Sequence, residues 1–378
     1  MTTTATTAAP RARSDADDRR GSWVPTWSMV TTRFMELRKR RGLMIALAAV
    51  NIGVPSIFLA IRLIAHAVAP KSYGPAGGAS IFDAMVAGVM FVFGFIVAAT
   101  VGASAGSNDL TEGMFRHLVV TGRSRLAIYL ARIPAGLAIV VSMVAVGFTI
   151  VCAVCCFAAP THQTYNGSGA PVGLTRSAFN AWAVDHPVKA ICDWPGGDLI
   201  VPVICRFPGA GQVKLPPGIK LPTHVTKAQE KAVALRFAHQ DYVDYTRFFL
   251  SPPIKLMVES GLWIELEAVI GFMVALGLSS LIGSRTVPVV LMIILEVIIG
   301  PIFSRNVIPH IINIQRGLVG LATAHIEPSA LPQAMGGNNP QSGRILVPES
   351  LTVAWLVIAA WIVGWTALGA WRMSRRDA

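Results

Sequence analysis

Residues 132–158 read RIPAGLAIVVSMVAVGFTIVCAVCCFA, and from Ile133 to Ala158 the chain carries no charge. Crossing about 30 Å of hydrocarbon at about 1.5 Å of rise per helical residue takes roughly 20 apolar residues. A helix satisfies its own backbone in that medium, so this stretch reads as a membrane span. Five more apolar runs qualify, at 43–66, 81–104, 262–283, 286–304 and 351–371. Ser284 and Arg285 mark the tight connection between the fourth and fifth, and Pro288 falls in a first helical turn, where its missing donor costs nothing. The expected fold is an all-α polytopic membrane protein with six transmembrane helices.

The composition excludes the other broad classes. Of 378 residues, 53% are hydrophobic and 14% charged, against about 25% charged in soluble domains. A chain this apolar is neither a water-soluble globule nor, over most of its length, disordered. The formal charge of +12 would suit a nucleic-acid partner if it formed a patch, but its distribution follows membrane topology instead. Arg11, Arg13, Arg19, Arg20, Arg33, Arg38, Lys39, Arg40 and Arg41 precede the first span, and Arg372, Arg375 and Arg376 follow the last. Arg116, Arg123, Arg125 and Arg132 lie between spans two and three, and Arg285 between four and five, whereas the 67–80 loop holds only Lys71. Basic short loops stay cytoplasmic. The expectation is a multi-pass plasma (inner) membrane protein with both termini cytoplasmic and no nucleic-acid partner.

Residues 1–22 lack the apolar core of a secretory signal and read as a disordered cytoplasmic tail. Residues 23–42 mix Trp23, Trp27, Phe34 and Leu37 with basic residues, the pattern of an amphipathic helix on the inner leaflet or of a plain stop-transfer flank. Segments 159–261 and 305–350 fall outside, the first as a sizeable extracytoplasmic cap between spans three and four. Cys192 and Cys205 flank a β-like run in that cap, and in an oxidising exterior a disulfide between them would contribute roughly 3 kcal/mol. Val307–Thr323, interrupted by Pro309, Asn313, Gln315 and Arg316, reads as a surface helix or one arm of a re-entrant hairpin.

The stretch from Ser107 to Arg132, SNDLTEGMFRHLVVTGRSRLAIYLAR, carries the most information about function. Asn108 or Asp109 could cap a helix start, Glu112 suits its first turn, and Gly122 supplies an end. Met114, Phe115, Leu118 and Val119 would then share one face. This loop resembles the coupling helix of permease subunits of type-2, six-span ABC exporters. Glu112, Gly113, Arg116, Leu118, Gly122, Arg123, Ser124 and Arg125 carry the resemblance, and the six-span layout agrees with it. The resemblance implies a coupling surface of Asp109, Glu112, Gly113, Phe115, Arg116, Leu118, Arg123 and Arg125. It also implies a separate ABC ATPase subunit holding ATP and magnesium, and a second permease protomer in a homo- or heterodimer. The long 159–261 segment departs from the family, whose third and fourth spans are often closely connected.

The phosphate-cradling G-x-x-x-x-G-K-[ST] is absent from the sequence, so ATP hydrolysis is expected in the partner, and this chain is read as a non-enzyme without a cofactor of its own. The scattered histidines offer no metal-ligand spacing. Acids within spans are the other candidates, because a carboxylate at mid-bilayer costs about 2.5–3.5 kcal/mol and must be compensated. Glu296 falls near the middle of the fifth span, as a pathway or gate residue or as an interhelical hydrogen bond, and Glu265 and Glu267 are expected near the outer end of the fourth. The rival reading is a membrane-anchored sensing or scaffold protein acting through its cap. A secondary transporter is disfavoured, since the two halves show no matching pair of broken helices.

Overall fold

The computed structural model describes residues 23–69, 76–111, 124–158, 174–185, 191–193, 204–207, 210–214, 242, 251–304, 307–328, 331 and 347–375. Helix α1 (Trp27–Lys39) leads into α2 (Arg41–Val68), α3 (Ile81–Asp109, continuing to Thr111) and α4 (Arg125–Phe157). After α5 (Arg176–Asp185) and three short strands come α6 (Ile254–Ile282), α7 (Thr286–Ile299, extended by Gly300–Ser304), α8 (Ile312–Arg316), α9 (Val319–Ala324) and α10 (Leu351–Arg375). Five of these, α2, α3, α4, α6 and α10, are long and apolar enough to cross a membrane, while α7 is apolar but shorter. The chain is a multi-pass, mostly helical membrane protein.

Helix ends differ from the apolar runs for local reasons. Ser124 accepts from the Ala127 amide at 3.1 Å, so α4 starts at Arg125 and not at 132. Pro252 and Pro253 precede α6, which starts at Ile254 and takes residues 254–261 away from the expected cap. Gly283 adopts φ 77°, the left-handed ending that glycine tolerates, and separates α6 from α7. Helices α2, α3 and α7 each contain one π-helical turn, at Ala49–Gly53, Met85–Met90 and Ile294–Ile299.

Contacts divide the chain into two compact units, residues 1–54, 86–148 and 259–378 in one and 55–85 and 149–258 in the other. The core of the first gathers Phe95, Ala99 and Ala103 of α3, Ile270 and Val274 of α6, Met292 of α7, Val319 and Ala322 of α9, and Ala354 and Ile358 of α10. Small side chains let these backbones approach closely. Of their most apolar windows, α3 and α6 are 61% and 67% buried, against 11% for α10 and 22% for α2. Exposed Ile61 and Ile64 on α2 and Leu356 and Val363 on α10 are apolar surface of the kind that a bilayer solvates.

In the second unit the strands β1 (Ile191–Asp193), β2 (Ile204–Phe207) and β3 (Ala210–Lys214) form an antiparallel sheet in that order. The β1–β2 register sets Cys192 opposite Cys205. Phe179 and Trp182 of α5 cluster with Tyr242, ring centroids 5.9 and 5.5 Å from Phe179. The other expectations for 159–250, and that of a disordered tail at 1–22, lie outside the described residues. Cys152, Cys155 and Cys156 are free thiols.

Candidate functional site

Polar groups gather at two places in the first unit. One lies where α1 meets α3 and α4. Val30 of α1 packs with Ala131 and Ala135 of α4, leaving Trp27 and Met35 exposed. From that seated helix Arg33 reaches Asp109 as a two-pronged fork, Nη1 to Oδ1 at 2.8 Å and Nη2 to Oδ2 at 2.6 Å, and Nη1 also donates to Glu36 at 2.7 Å. Arg132 Nη2 donates to Oδ2 of the same carboxylate, and its Nη1 donates to the Gly106 carbonyl at 2.9 Å. The Asp109 and Arg132 side chains are each 2% exposed. Paired, forked charge-assisted bonds are what make such burial tolerable. Burial pulls the Arg33 guanidinium down, but the Asp109 and Glu36 carboxylates outweigh it and hold the group above its ordinary value.

Asp109 therefore does not cap the start of a cytoplasmic helix. It belongs to α3, which runs on to Thr111, and its carboxylate turns inward to two arginines. Arg33 and Arg132, read from the sequence as basic residues of the cytoplasmic segments, are the partners that let the helix carry an acid at its end. Arg125 starts α4 and donates to the Ser374 carbonyl at 3.2 Å, tying α4 to the end of α10. Glu112, Gly113, Phe115, Arg116, Leu118 and Arg123 lie outside the described residues.

The second place is formed by α6, α7 and α9. Glu267 is not near an end of its helix: α6 extends from Ile254, which puts Glu267 at mid-length, 2% exposed. Glu265, two residues earlier, is half-buried. Glu296 lies in the π turn of α7, also 2% exposed. The Glu267 and Glu296 carboxylates act on each other electrostatically, and Glu327 acts on Glu267 as well. Among the described residues Oε1 of each of the pair is buried without a hydrogen-bond partner, an arrangement rare enough in proteins to call for an explanation.

Helix α9, all six of its residues buried, closes over this pair. The Thr323 hydroxyl is within hydrogen-bond reach of the Gly320 carbonyl at 3.1 Å and of Glu267. The Thr323 carbonyl accepts from the Trp263 indole at 3.1 Å, and that ring stacks on Phe91 at 5.1 Å. Gly320 faces Glu296 so closely that a Cβ there would sit 2.6 Å from Oε1 and 2.7 Å from Oε2. Gly320→Ala is expected to displace the carboxylate and cost about 1–3 kcal/mol. Thermal unfolding in detergent would show the loss, and shortening the acid in Gly320→Ala/Glu296→Ala should recover most of it; equal unfolding midpoints for Gly320→Ala and the parent would mean that the carboxylate has room to move.

Val307–Thr323 is thus not one surface helix. It is a 3-10 turn (Pro309–Ile311), α8, a break at Gly317–Leu318, and buried α9. The polar residues that interrupt it satisfy the freed backbone. Gln315 donates to the Phe303 carbonyl at 3.0 Å and accepts from the Ile308 amide at 3.0 Å, and Trp361 of α10 donates to the Gly317 carbonyl at 2.8 Å. Among the described residues no group of three or more His, Cys, Asp or Glu side chains is placed to hold a metal ion.

These features define a multi-pass helical membrane protein with a short N-terminal helix locked to two spans and a buried carboxylate pair beneath a broken helix. Comparison with protein-family models, with curated proteins and with solved structures finds no match.

Proposed function

We propose that this chain is the membrane permease subunit of an ATP-driven ABC exporter, forming the substrate pathway with a second protomer and coupling to a separate ATPase subunit that carries ATP and magnesium. In this reading Thr286–Ser304 also crosses the membrane, as the fifth of six spans, both termini face the cytoplasm, and 159–253 and 305–350 lie outside. The observation that carries the proposal is the setting of the coupling-type loop. The helices on either side of it are tied at Asp109 of α3, which pairs with buried Arg132 of α4 and with part-buried Arg33 of α1. A push on that loop would reach α1, α3 and α4 as one body, because buried charge pairs hold their geometry where solvated ones slide. The carboxylates Glu296, Glu267 and Glu265 would line or gate the pathway and favour cationic or amphipathic cargo.

The test is purification of the tagged chain from its own membranes in mild detergent, with mass spectrometry and an ATPase assay. An ATP-binding subunit in stoichiometric amount is expected, and Glu112→Ala/Arg116→Ala should lose it while the chain stays folded. Recovery of the chain without an ATPase, under conditions that keep other complexes together, would favour the sensing or scaffold reading. In vesicles, Glu296→Gln should lower export of a cationic dye at least about tenfold if it removes a charge pairing worth about 1.4 kcal/mol; undiminished export would take Glu296 out of the pathway.

A further inference from the structure

His325 stands at the end of α9, and both of its ring nitrogens meet backbone carbonyls. Nδ1 lies 2.8 Å from the Leu321 oxygen and Nε2 lies 3.0 Å from the Val347 oxygen. A carbonyl oxygen only accepts, so each nitrogen must bring a hydrogen, and a neutral imidazole has one. The arrangement is complete only for the imidazolium. Its counter-charge is at hand: Glu349 Oε2 is 4.0 Å from Nδ1, and the Glu349 side chain is 1% exposed. The C-terminal end of a helix is also where a cationic side chain is favoured.

We infer that His325 acts as a doubly protonated clamp fastening residues 347–350 to the end of α9, and that loss of one proton releases them. Neutral His325 keeps one of its two carbonyl bonds and leaves the buried Glu349 facing an uncharged ring. Among the described residues, Arg316 is the other charged group acting on Glu349, its Nε donating to the Pro348 carbonyl at 3.0 Å. Burial holds the Glu349 carboxyl above its ordinary value, and the charges of His325 and Arg316 draw it only partly back. Glu327, two residues beyond His325, acts on Glu267. The clamped segment matters to the fold around it. Val347 is fully buried, and Ser350 begins α10, its Oγ accepting from the Val353 amide at 3.3 Å and its carbonyl from the Ala354 amide at 3.0 Å. Since α9 also covers the Glu267–Glu296 pair, opening the clamp would loosen the cover at its far end. None of these contacts depends on the chain being a permease.

The experiment uses the full-length protein, labelled at histidine with nitrogen-15, in lipid nanodiscs. At about pH 5.5, His325, assigned by its absence in His325→Gln, is expected to show both ring nitrogens protonated. As pH is raised to about 8.5, spanning the range in which histidine changes charge, hydrogen-exchange protection of residues 347–356, corrected for intrinsic exchange, should fall at least about tenfold. His325→Gln should abolish the pH dependence. A single protonated ring nitrogen at about pH 5.5 would overturn the inference, as would a fall of the same size in His325→Gln and the parent.

Discussion

Asp109→Ala is expected to cost about 3–5 kcal/mol, because it strips the carboxylate from one buried and one part-buried guanidinium group at once. Arg132 is 1% exposed, Arg33 forks onto the same acid, and Glu36 reaches Arg33 alone. Arg132 cannot turn to water without pulling α4 out of its packing, whereas Arg33, part-buried, keeps Glu36. Most of the variant should aggregate in mild detergent, and the surviving fraction should unfold at markedly lower denaturant. The cause is separable from mere truncation. Asp109→Leu combined with Arg33→Met and Arg132→Met removes the charges together, and replacing a whole buried ionic set by apolar groups is often neutral. Recovery of folded protein in the triple variant is therefore expected; Asp109→Ala within about 1 kcal/mol of the parent would show that the triad is dispensable.

Gly277→Leu is expected to cost about 3 kcal/mol or more. A Cβ at Gly277 would meet the carbonyl oxygen of Trp365 and lie 2.6 Å from its carbonyl carbon, and a Cβ at Gly369 would lie 3.0 Å from the Gly277 Cα and 2.6 Å from the Tyr129 hydroxyl. Helices α6 and α10 cross here backbone to backbone with Tyr129 of α4 wedged alongside, so nothing flexible can yield. Gly364, also on α10, is open: a Cβ there would have nothing within 4 Å, and Gly364→Leu should change stability by no more than about 0.5 kcal/mol. Denaturant titration of the pair checks the contrast; similar losses at the two positions would mean that glycine matters for the helix and not for the crossing.

Runs without charge make the spanning helices visible, because insertion leaves little freedom over about 20 apolar residues. Their ends are less visible, since a charge at a helix end reads as a boundary unless its partner is known. The partner of Asp109 on α1 lies 76 residues earlier, and no local periodicity links Arg33 to it. The apolar pattern misplaces Glu267 for a related reason: the weakly apolar start of α6, from Ile254 to Leu262, belongs to the helix because Pro252 and Pro253 fix where it begins. Glu296 is legible as an acid inside an apolar run. Its cover is not, because α9 is six residues long and its role depends on Gly320 having no side chain.

The π-helical turns reach further than their length suggests. Such a turn holds one residue more than an α turn, so side chains beyond it are rotated by about 100° relative to those before it. Helix α7 is two half-helices spliced out of phase, with Glu296 at the seam. One helical wheel cannot describe it. The stripe that meets α3 before the splice is not the stripe that continues after it, and this is how a single short apolar helix can show an unbroken oily surface outward and still turn one carboxylate inward.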